Sequence, residues 1–155
     1  MHKSDYRIGD IRSLKAFQSL FSLLNAPDPE WLNGRFRAEF VGPKSLQAIA
    51  PRLLPLGGLP GWCGKAFVGD KQAVNLLSNG SQVVEAVPML PAFAPSQIDQ
   101  RQALVLRYDQ RAPLACRKLV DELRVLDETS LLGLTMVDLP LLRKLVMPFV
   151  LKRWP

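Results

Sequence analysis

Apolar side chains follow a helical spacing near the start of the chain. Between Asp10 and Leu24 they recur every three or four positions, as they do on one face of an α-helix. The members of this face are Ile11, Leu14, Phe17, Phe21 and Leu24. Asp10 is the expected N-cap, and the segment from Asn25 to Pro27 ends the pattern. The sequence therefore predicts one amphipathic helix that covers an apolar surface.

From residue 34 onward the pattern changes to a period of two, which is typical of half-buried β-strands. Extended runs of this kind occur at 34–40, 62–68, 73–78, 82–87, 102–108, 117–127, 131–137 and 147–153. A second short helix is predicted over 46–54. Asn79 and Gly80 predict a tight hairpin between the third and fourth strands. Three prolines in 88–101 predict a long irregular connection.

These elements lack the strand–helix–strand alternation of a parallel sheet, so the predicted fold class is mainly β. We expect about eight antiparallel strands in a closed or strongly curved barrel, because closure removes unpaired strand edges. The 155 residues are predicted to form one domain, 1–155, with the amphipathic helix at 10–24 and the barrel at 34–154. About eight strands enclose either packed side chains or one small ligand.

The charge pattern argues against nucleic-acid binding. Twenty Lys and Arg outnumber fourteen Asp and Glu, for a formal charge of +6. The bases occur singly or in pairs, without an arginine-rich arm or an aromatic–basic RNA-binding signature. The tail at 139–154 differs, because it combines bases with large apolar residues and contains no acid. An anionic membrane surface is therefore an alternative partner for this tail.

Metal and cofactor chemistry is not expected from these residues. The one histidine is His2, and Cys63 and Cys116 lie far apart, so neither a zinc site nor a Cys–His nucleophile is predicted. Phosphate loops, dinucleotide fingerprints and nucleophile elbows are absent from the sequence. The thiols are expected to be buried small side chains in a reducing compartment. Charges such as Asp5 and Arg7 interrupt any signal-peptide core, which favours a cytoplasmic location.

Several short motifs occur in a recognisable order between Leu32 and Arg153. They are Gly34-Arg-Phe36-Arg-Ala38, Gly61-Trp-Cys-Gly-Lys-Ala-Phe67, Tyr108-Asp109, Asp121-Glu-Leu-Arg124, Gly133-Leu134 and Pro148-Phe-Val-Leu-Lys-Arg153. This order resembles the bacterial GXWXG-type proteins with their C-terminal domain of unknown function, with Phe and Ala in place of the motif's Trp and second Gly. The resemblance implies a small calycin-like or lipocalin-like barrel with a lipophilic ligand. It assigns no catalytic residue.

Within such a barrel, particular side chains are candidates for ligand contact. Those expected to line the cavity are Phe36, Phe40, Trp62, Phe67 and Leu106. Those expected to meet the ligand's polar end are Arg107, Tyr108, Asp121 and Arg124. Both helical segments are expected to cover one mouth of the barrel. Arg153 is expected to stack on Trp62 and close a barrel end through a cation–π contact.

Two further expectations concern charged residues near these candidates. Asp121 shares its strand face with apolar neighbours, so it is either paired inside with Arg107 or Arg117, or its face is the wet one. Lys65 is predicted to be an ion-paired barrel lysine, and 109–113 is predicted to be a turn.

The leading functional hypothesis is a non-enzymatic binding protein for an apolar small molecule, such as a fatty acid or another lipid. One alternative is an enzyme on a hydrophobic substrate that uses Asp121 and Tyr108 as an acid–base pair. Another is a membrane-surface or interaction module that uses 139–154. A homodimer through the N-terminal helix is compatible with all three.

Overall fold

Eight antiparallel strands form a closed barrel in which each strand pairs with its sequence neighbours and the last pairs with the first. The computed structural model describes residues 7–142 and 145–155, so His2, Asp5, Arg143 and Lys144 lie outside the described residues. The strands are β1 (Asn33–Phe40), β2 (Trp62–Val68), β3 (Gln72–Ser78), β4 (Val83–Pro95), β5 (Gln102–Arg107), β6 (Leu119–Asp127), β7 (Ser130–Val137) and β8 (Val146–Arg153). The helices are α1 (Leu14–Leu23) and α2 (Lys44–Leu53), and one-turn 3-10 helices lie at Ile8–Asp10 and Cys116–Lys118. The predicted mainly β barrel with two helices is confirmed.

The interior of the barrel is filled by one alternating set of side chains from the strands. Its buried apolar members are Leu32, Phe36, Phe67, Ala73, Met89, Leu104, Leu106, Leu123, Leu131, Phe149 and Leu151. These residues form one continuous cluster with the partly buried rings of Phe40, Trp62 and Phe93. None of the described helices is long and apolar enough to span a bilayer.

Helix α1 begins later than its sequence pattern predicted. Ser13 is its N-cap, and the Ser13 hydroxyl accepts a hydrogen bond from the amide of Ala16 at 3.4 Å. The expected cap, Asp10, instead lies in the preceding 3-10 turn, and Ile11 is extended after it. The N-cap prediction was therefore wrong, because a separate turn precedes the helix.

Helix α1 packs on the outside of the barrel. Phe17, Leu20 and Phe21 contact a second apolar cluster. That cluster includes the outward side chains of β5 to β8, among them Val105, Val120, Leu132, Leu134 and Val150. The prediction that this helix covers a mouth was wrong, because β5 to β8 are apolar on both faces and their outer face needs a cover of its own. The apolar face of α1 that a homodimer would use is thus buried within the chain, and the homodimer stays a prediction.

A buried arginine on the outer face of β6 holds α1 in place. The Arg124 side chain is fully buried, and its Nη1 atom donates to the carbonyl of Phe21 at 2.9 Å. Its two terminal nitrogens also bind both carboxylate oxygens of Asp99, at 2.7 and 2.8 Å. The guanidinium stacks 4.4 Å from the centre of the Phe21 ring. Arg124 therefore joins α1, the β4–β5 connection and β6 by charge-assisted hydrogen bonds.

Strand β4 is much longer than expected. It continues to Pro95, although Pro88, Pro91 and Pro95 predicted an irregular connection. The strand pairs with β3 up to Met89 and with β5 only from Leu90 onward. Each half therefore has one hydrogen-bonded neighbour, and a strand edge tolerates proline because the missing amide faces no partner. The Asn79-Gly80 hairpin between β3 and β4 is confirmed, and Gly80 has a φ of 94°.

The first prediction concerns Gly133 in β7. A β-carbon at this position would lie 2.3 Å from the ring of buried Phe149. Gly133→Ala should therefore lower the free energy of unfolding by about 1–3 kcal/mol, since overpacking strains a filled core. Urea unfolding measures this change. The control is Gly9→Ala, because nothing lies within 4 Å of a β-carbon there. Equal stability of these two variants would contradict the packing, whereas Gly133→Ala combined with Phe149→Leu should recover part of the loss.

The second prediction concerns Asp99. Hydrogen bonds from Arg124 hold the pKa of the Asp99 carboxyl below its ordinary value of 3.8. The ionised form therefore stabilises the folded state above that value, and the contribution is lost as the pH falls through the lower folded pKa. Asp99→Asn should lower the free energy of unfolding at neutral pH by about 3 kcal/mol, and the difference from wild type should shrink below about pH 4.

Urea unfolding between acid and neutral pH tests this expectation. Burial raises the pKa of nearby Glu122, so that residue stabilises the fold at low pH and loses its contribution as the pH rises. Comparing wild type with Asp99→Asn at each pH largely cancels this opposite trend. Glu39→Gln removes a carboxylate from an exposed pair with Lys152 and should have little effect. A pH-independent difference for Asp99→Asn would refute the ion-pair explanation.

Candidate functional site

A group of polar side chains lies inside the otherwise apolar barrel. Lys65 on β2, Asn75 on β3 and Asp121 on β6 point inward and are 1%, 0% and 4% exposed. The Lys65 ammonium nitrogen lies 2.8 Å from Asp121 Oδ2 and 2.9 Å from Asn75 Oδ1. The prediction of an ion-paired lysine is confirmed. Asp121 is indeed paired inside the barrel, but its partner is neither Arg107 nor Arg117.

Three further side chains complete what we call the polar cluster. Trp62 Nε1 donates to Asn75 Oδ1 at 3.0 Å, and Asn75 Nδ2 donates to the Tyr108 hydroxyl at 3.1 Å. The Thr135 hydroxyl donates to Asp121 Oδ1 at 2.6 Å. The polar cluster therefore consists of Trp62, Lys65, Asn75, Tyr108, Asp121 and Thr135, with Asn75 at its centre.

The electrostatics of the polar cluster favour hydrogen bonding over proton abstraction by Tyr108. Burial first, and the charge of Asp121 second, raise the pKa of the Tyr108 hydroxyl far above its ordinary value. The hydroxyl therefore stays protonated at neutral pH. Among the described residues, the hydrogen bonds between Tyr108 and Asp121 run through Asn75 and Lys65, so the two groups do not form a direct acid–base pair.

Two connections at one end of the barrel cover the polar cluster, and we call them the cap. The cap consists of 54–61, before β2, and 109–118, between β5 and β6. Buried Leu59, Ala112 and Cys116 form its own apolar cluster, against which Trp62 and Tyr108 pack. The polar cluster therefore lies between the barrel core and the cap.

Close contacts hold the two cap segments together. The Cys116 thiol donates to the carbonyl of Gly57 at 2.9 Å. Burial raises the pKa of this thiol, which keeps it protonated. Gly58 has a φ of 87°, and a β-carbon there would lie 2.7 Å from Pro113. In the second segment, Asp109 accepts from the amide of Arg111 at 2.8 Å, so the predicted turn at 109–113 is confirmed.

A strained residue lies beside the polar cluster. Val87 is the extra residue of a β-bulge between β3 and β4 and has a φ of 51°, a conformation that β-branched residues rarely adopt. Its carbonyl accepts a hydrogen bond from Asn75 Nδ2 at 2.9 Å. Val87 also lines a small concavity of about 220 Å³ that reaches Asp109 and Pro113 of the cap. The bulge thus links the buried cluster to a surface hollow at the cap.

The predicted cavity-lining residues all belong to the interior of the barrel. Phe36, Phe40, Trp62, Phe67 and Leu106 are members of the interior cluster or pack against it. Tyr108 and Asp121 belong to the polar cluster. The structure therefore brings seven of the ten predicted contact residues to the interior.

The three arginines are placed differently from the prediction. Arg107 is half exposed on the outer face and pairs with Asp138 at 3.2 Å. Arg124 is buried under α1 on the outer face, because side chains at even positions of β6 point outward. Arg153 closes a barrel end, yet it stacks on Trp31 at 4.6 Å and Phe36 at 4.9 Å instead of Trp62. Trp62 begins β2 at one end of the barrel, and Arg153 ends β8 at the other end. This separation excludes the predicted contact.

Sequence reasoning missed Asn75 and Thr135. The alternation of β3 could have identified Asn75. This residue shares one strand face with Ala73 and Leu77, and it is the only polar side chain of these three. The Asp121–Thr135 pairing depends on strand register, which the sequence pattern does not give.

The barrel interior contrasts with a groove on the outer surface. A groove of about 640 Å³ lies outside β1 to β4, lined by Ala66, Val68, Val74 and Leu90 among others. The interior side chains are instead packed against one another, and Phe149 covers Gly133. A ligand of the polar cluster therefore requires the cap to move.

The third prediction concerns the contribution of the Lys65–Asp121 ion pair to stability. Lys65→Met leaves the Asp121 carboxylate buried without its cation, which should lower the free energy of unfolding by about 3–5 kcal/mol. Lys65→Met combined with Asp121→Leu should recover most of this loss, because apolar side chains of similar volume replace buried ion pairs well. Urea unfolding of both single variants and the double variant gives the coupling.

The exposed pair Lys152–Glu39, 3.0 Å apart, supplies the control. Lys152→Met should hardly change stability, since exposed ion pairs contribute little. Simple additivity of the Lys65 and Asp121 substitutions would show that the two side chains are not coupled.

Comparisons with known proteins bear on the fold alone. No family model matches the chain, and no curated protein matches it. A protein from Thermomonospora curvata, known from its crystal structure, is similar, with a TM-score of 0.68 and 18% sequence identity. The alignment covers 95% of this chain and 91% of that one. This chain is thus similar to that protein in the fold of nearly its whole length.

Proposed function

We propose that this protein binds a small, mostly apolar molecule whose uncharged polar group reaches the polar cluster. The observation that supports this proposal is a hydrogen-bonded cluster in an apolar barrel, directly beneath a cap of two connections. A buried ion pair is weak support for stability, because desolvation offsets its attraction. Polar groups placed at few points in an apolar site are typical of small-molecule binding sites.

The charge balance of the polar cluster favours an uncharged polar group. Lys65 and Asp121 neutralise each other at 2.8 Å, and Tyr108 stays neutral because its pKa is raised. A hydroxyl, carbonyl or amide group adds no charge to this balance. A carboxylate would leave one buried negative charge without a partner, and such burial is costly. An alcohol, ketone or amide is thus a better candidate than the fatty acid suggested by sequence.

The route to the polar cluster passes through the cap. Its two segments meet through one thiol–carbonyl hydrogen bond and a small apolar cluster, whereas the strands of the barrel wall are joined by backbone ladders into a closed sheet. Opening the cap uncovers Trp62, Leu77 and Tyr108, against which the cap packs. The apolar body of the ligand would take the place of Leu59 and Ala112 on these side chains, which limits its size.

The fourth prediction uses ligands matched in chain length. Native mass spectrometry and organic extraction first identify any molecule that copurifies. Isothermal titration calorimetry then compares 1-octanol, 2-octanone and octanoate. We expect octanoate to bind at least about tenfold more weakly than the two neutral ligands, because burying its charge costs more than 1.4 kcal/mol.

Two variants make this experiment decisive. Lys65→Met combined with Asp121→Leu should weaken octanol binding by about tenfold or more, since it removes polar partners of the ligand. Arg107→Gln alters an arginine on the outer face and should bind as wild type does. Equal octanol binding by all three proteins, or no uptake of any probe, would refute the proposal.

A further inference from the structure

The exposed apolar side chains are concentrated at one end of the barrel. In an antiparallel barrel with neighbour-to-neighbour pairing, the β1–β2, β3–β4, β5–β6 and β7–β8 connections all lie at the same end. We call this the cap end, because it includes both cap segments. Of the twelve exposed large apolar side chains in 7–142 and 145–155, eight belong to it. They are Ile49, Leu53, Leu56, Leu114, Leu139, Leu141, Leu142 and Leu145.

Several of these side chains are almost fully exposed. Leu141 is 93% exposed, Leu56 is 81% and Leu114 is 76%. They come from three separate connections, so the exposure is a property of the whole end and not of one loop. A soluble surface rarely displays leucines in this number together, and such a patch indicates a binding surface.

Basic residues outnumber acidic residues in the connections of the cap end, and acidic residues outnumber basic ones at the opposite end. The connections of the cap end carry five described bases, Lys44, Arg52, Arg111, Arg117 and Lys118, and two acids, Asp109 and Asp138. The opposite end, made of 24–32 and the β2–β3, β4–β5 and β6–β7 connections, carries five acids and two bases. The acids are Asp28, Glu30, Asp70, Asp99 and Glu128, and the bases are Lys71 and Arg101. Asp99 is paired with buried Arg124, and Arg153 at the end of β8 also lies at this end.

We infer that the cap end docks on the surface of an anionic lipid bilayer. Leucines that project between bases suit this surface, because apolar side chains enter the headgroup boundary while bases contact lipid phosphates. The connections of the opposite end carry more acids than bases, so the charge distribution favours docking through the cap end. The described basic residues and leucines lie at one end together, whereas a protein interface would more often be depleted of lysine.

This inference replaces the idea of a membrane-binding tail at 139–154. Residues Val146–Arg153 form strand β8, which pairs with β7 and β1 inside the barrel wall. Deleting residues 139–154 would therefore disrupt the barrel, and a loss of membrane binding by that variant could not be assigned to the surface. Point variants of the exposed connections keep the strand and address the surface directly.

The test is cosedimentation of the full chain with vesicles. Vesicles of phosphatidylcholine with roughly 30 mol% phosphatidylserine should bind the protein, and pure phosphatidylcholine should not. Binding should decrease at about 0.5 M sodium chloride, where surface charges are screened. Leu114→Ser combined with Leu141→Ser should weaken binding about tenfold or more. Arg52→Gln combined with Lys118→Gln should do the same.

Matched control variants alter the same residue types elsewhere. Val68→Ser combined with Leu90→Ser removes two exposed apolar side chains away from the cap end. Lys15→Gln combined with Lys71→Gln lowers the net charge as much as the basic test variant does. Both controls should bind anionic vesicles within about twofold of wild type. Circular dichroism verifies that every variant is folded.

Three results would overturn the inference. These are an absence of binding to anionic vesicles, equal losses in test and control variants, or leucine-dependent self-association in sedimentation experiments without vesicle binding. The last result would identify a second copy of the chain as the occupant. The inference does not rest on the proposed ligand, so Lys65→Met combined with Asp121→Leu should bind vesicles normally even if it no longer binds octanol.

Discussion

The ion pair between Lys65 and Asp121 connects opposite walls of the barrel. Strands β2 and β6 are separated by three strands in either direction around the closed sheet, yet their side chains meet at 2.8 Å. Asn75 extends the contact to β3, Tyr108 extends it to the residue that follows β5, and Thr135 extends it to β7. Four strands and the residue that follows β5 are therefore joined through the interior as well as through the sheet. This cross-link fixes the diameter that the surrounding phenylalanine and leucine side chains must fill.

The barrel wall is stabilised differently on its two sides. Inside, large apolar residues pack around the polar cluster, whereas outside α1 covers the apolar face of β5 to β8. Arg124 joins that cover to the wall, because its guanidinium binds the C-terminal turn of α1 and the β4–β5 connection together. Strands β1 and β4 carry an exposed ion pair, Arg35–Glu85, on their outer surface. The strands with two apolar faces are thus the ones that receive the helix.

Local patterns predicted the barrel well, since seven of the eight strands lie within two or three residues of the expected runs. The length of β4 was not predictable, because whether a proline breaks a strand depends on which edge is paired. Strand parity placed Tyr108 and Asp121 on the faces of their apolar neighbours but left open whether the face of Asp121 was inside or wet. The true partner of Asp121 did not follow from parity, because Lys65 comes from the opposite wall and only the curvature of the closed sheet brings them together. Arg124 was expected to meet the polar end of a ligand beside Asp121, but residues three apart in a regular strand point to opposite faces, so Arg124 lies outside under α1.

Pairing between β8 and β1 closes the barrel only after the last strand has been made. Every other strand pair joins neighbours in sequence, but this pair joins Phe36 to Arg153. During synthesis the edges of β1 and β7 remain without partners until β8 has been made. Such edges are templates for pairing with other chains. The edges of β1 and β7 therefore stay open to intermolecular pairing until β8 has paired with both.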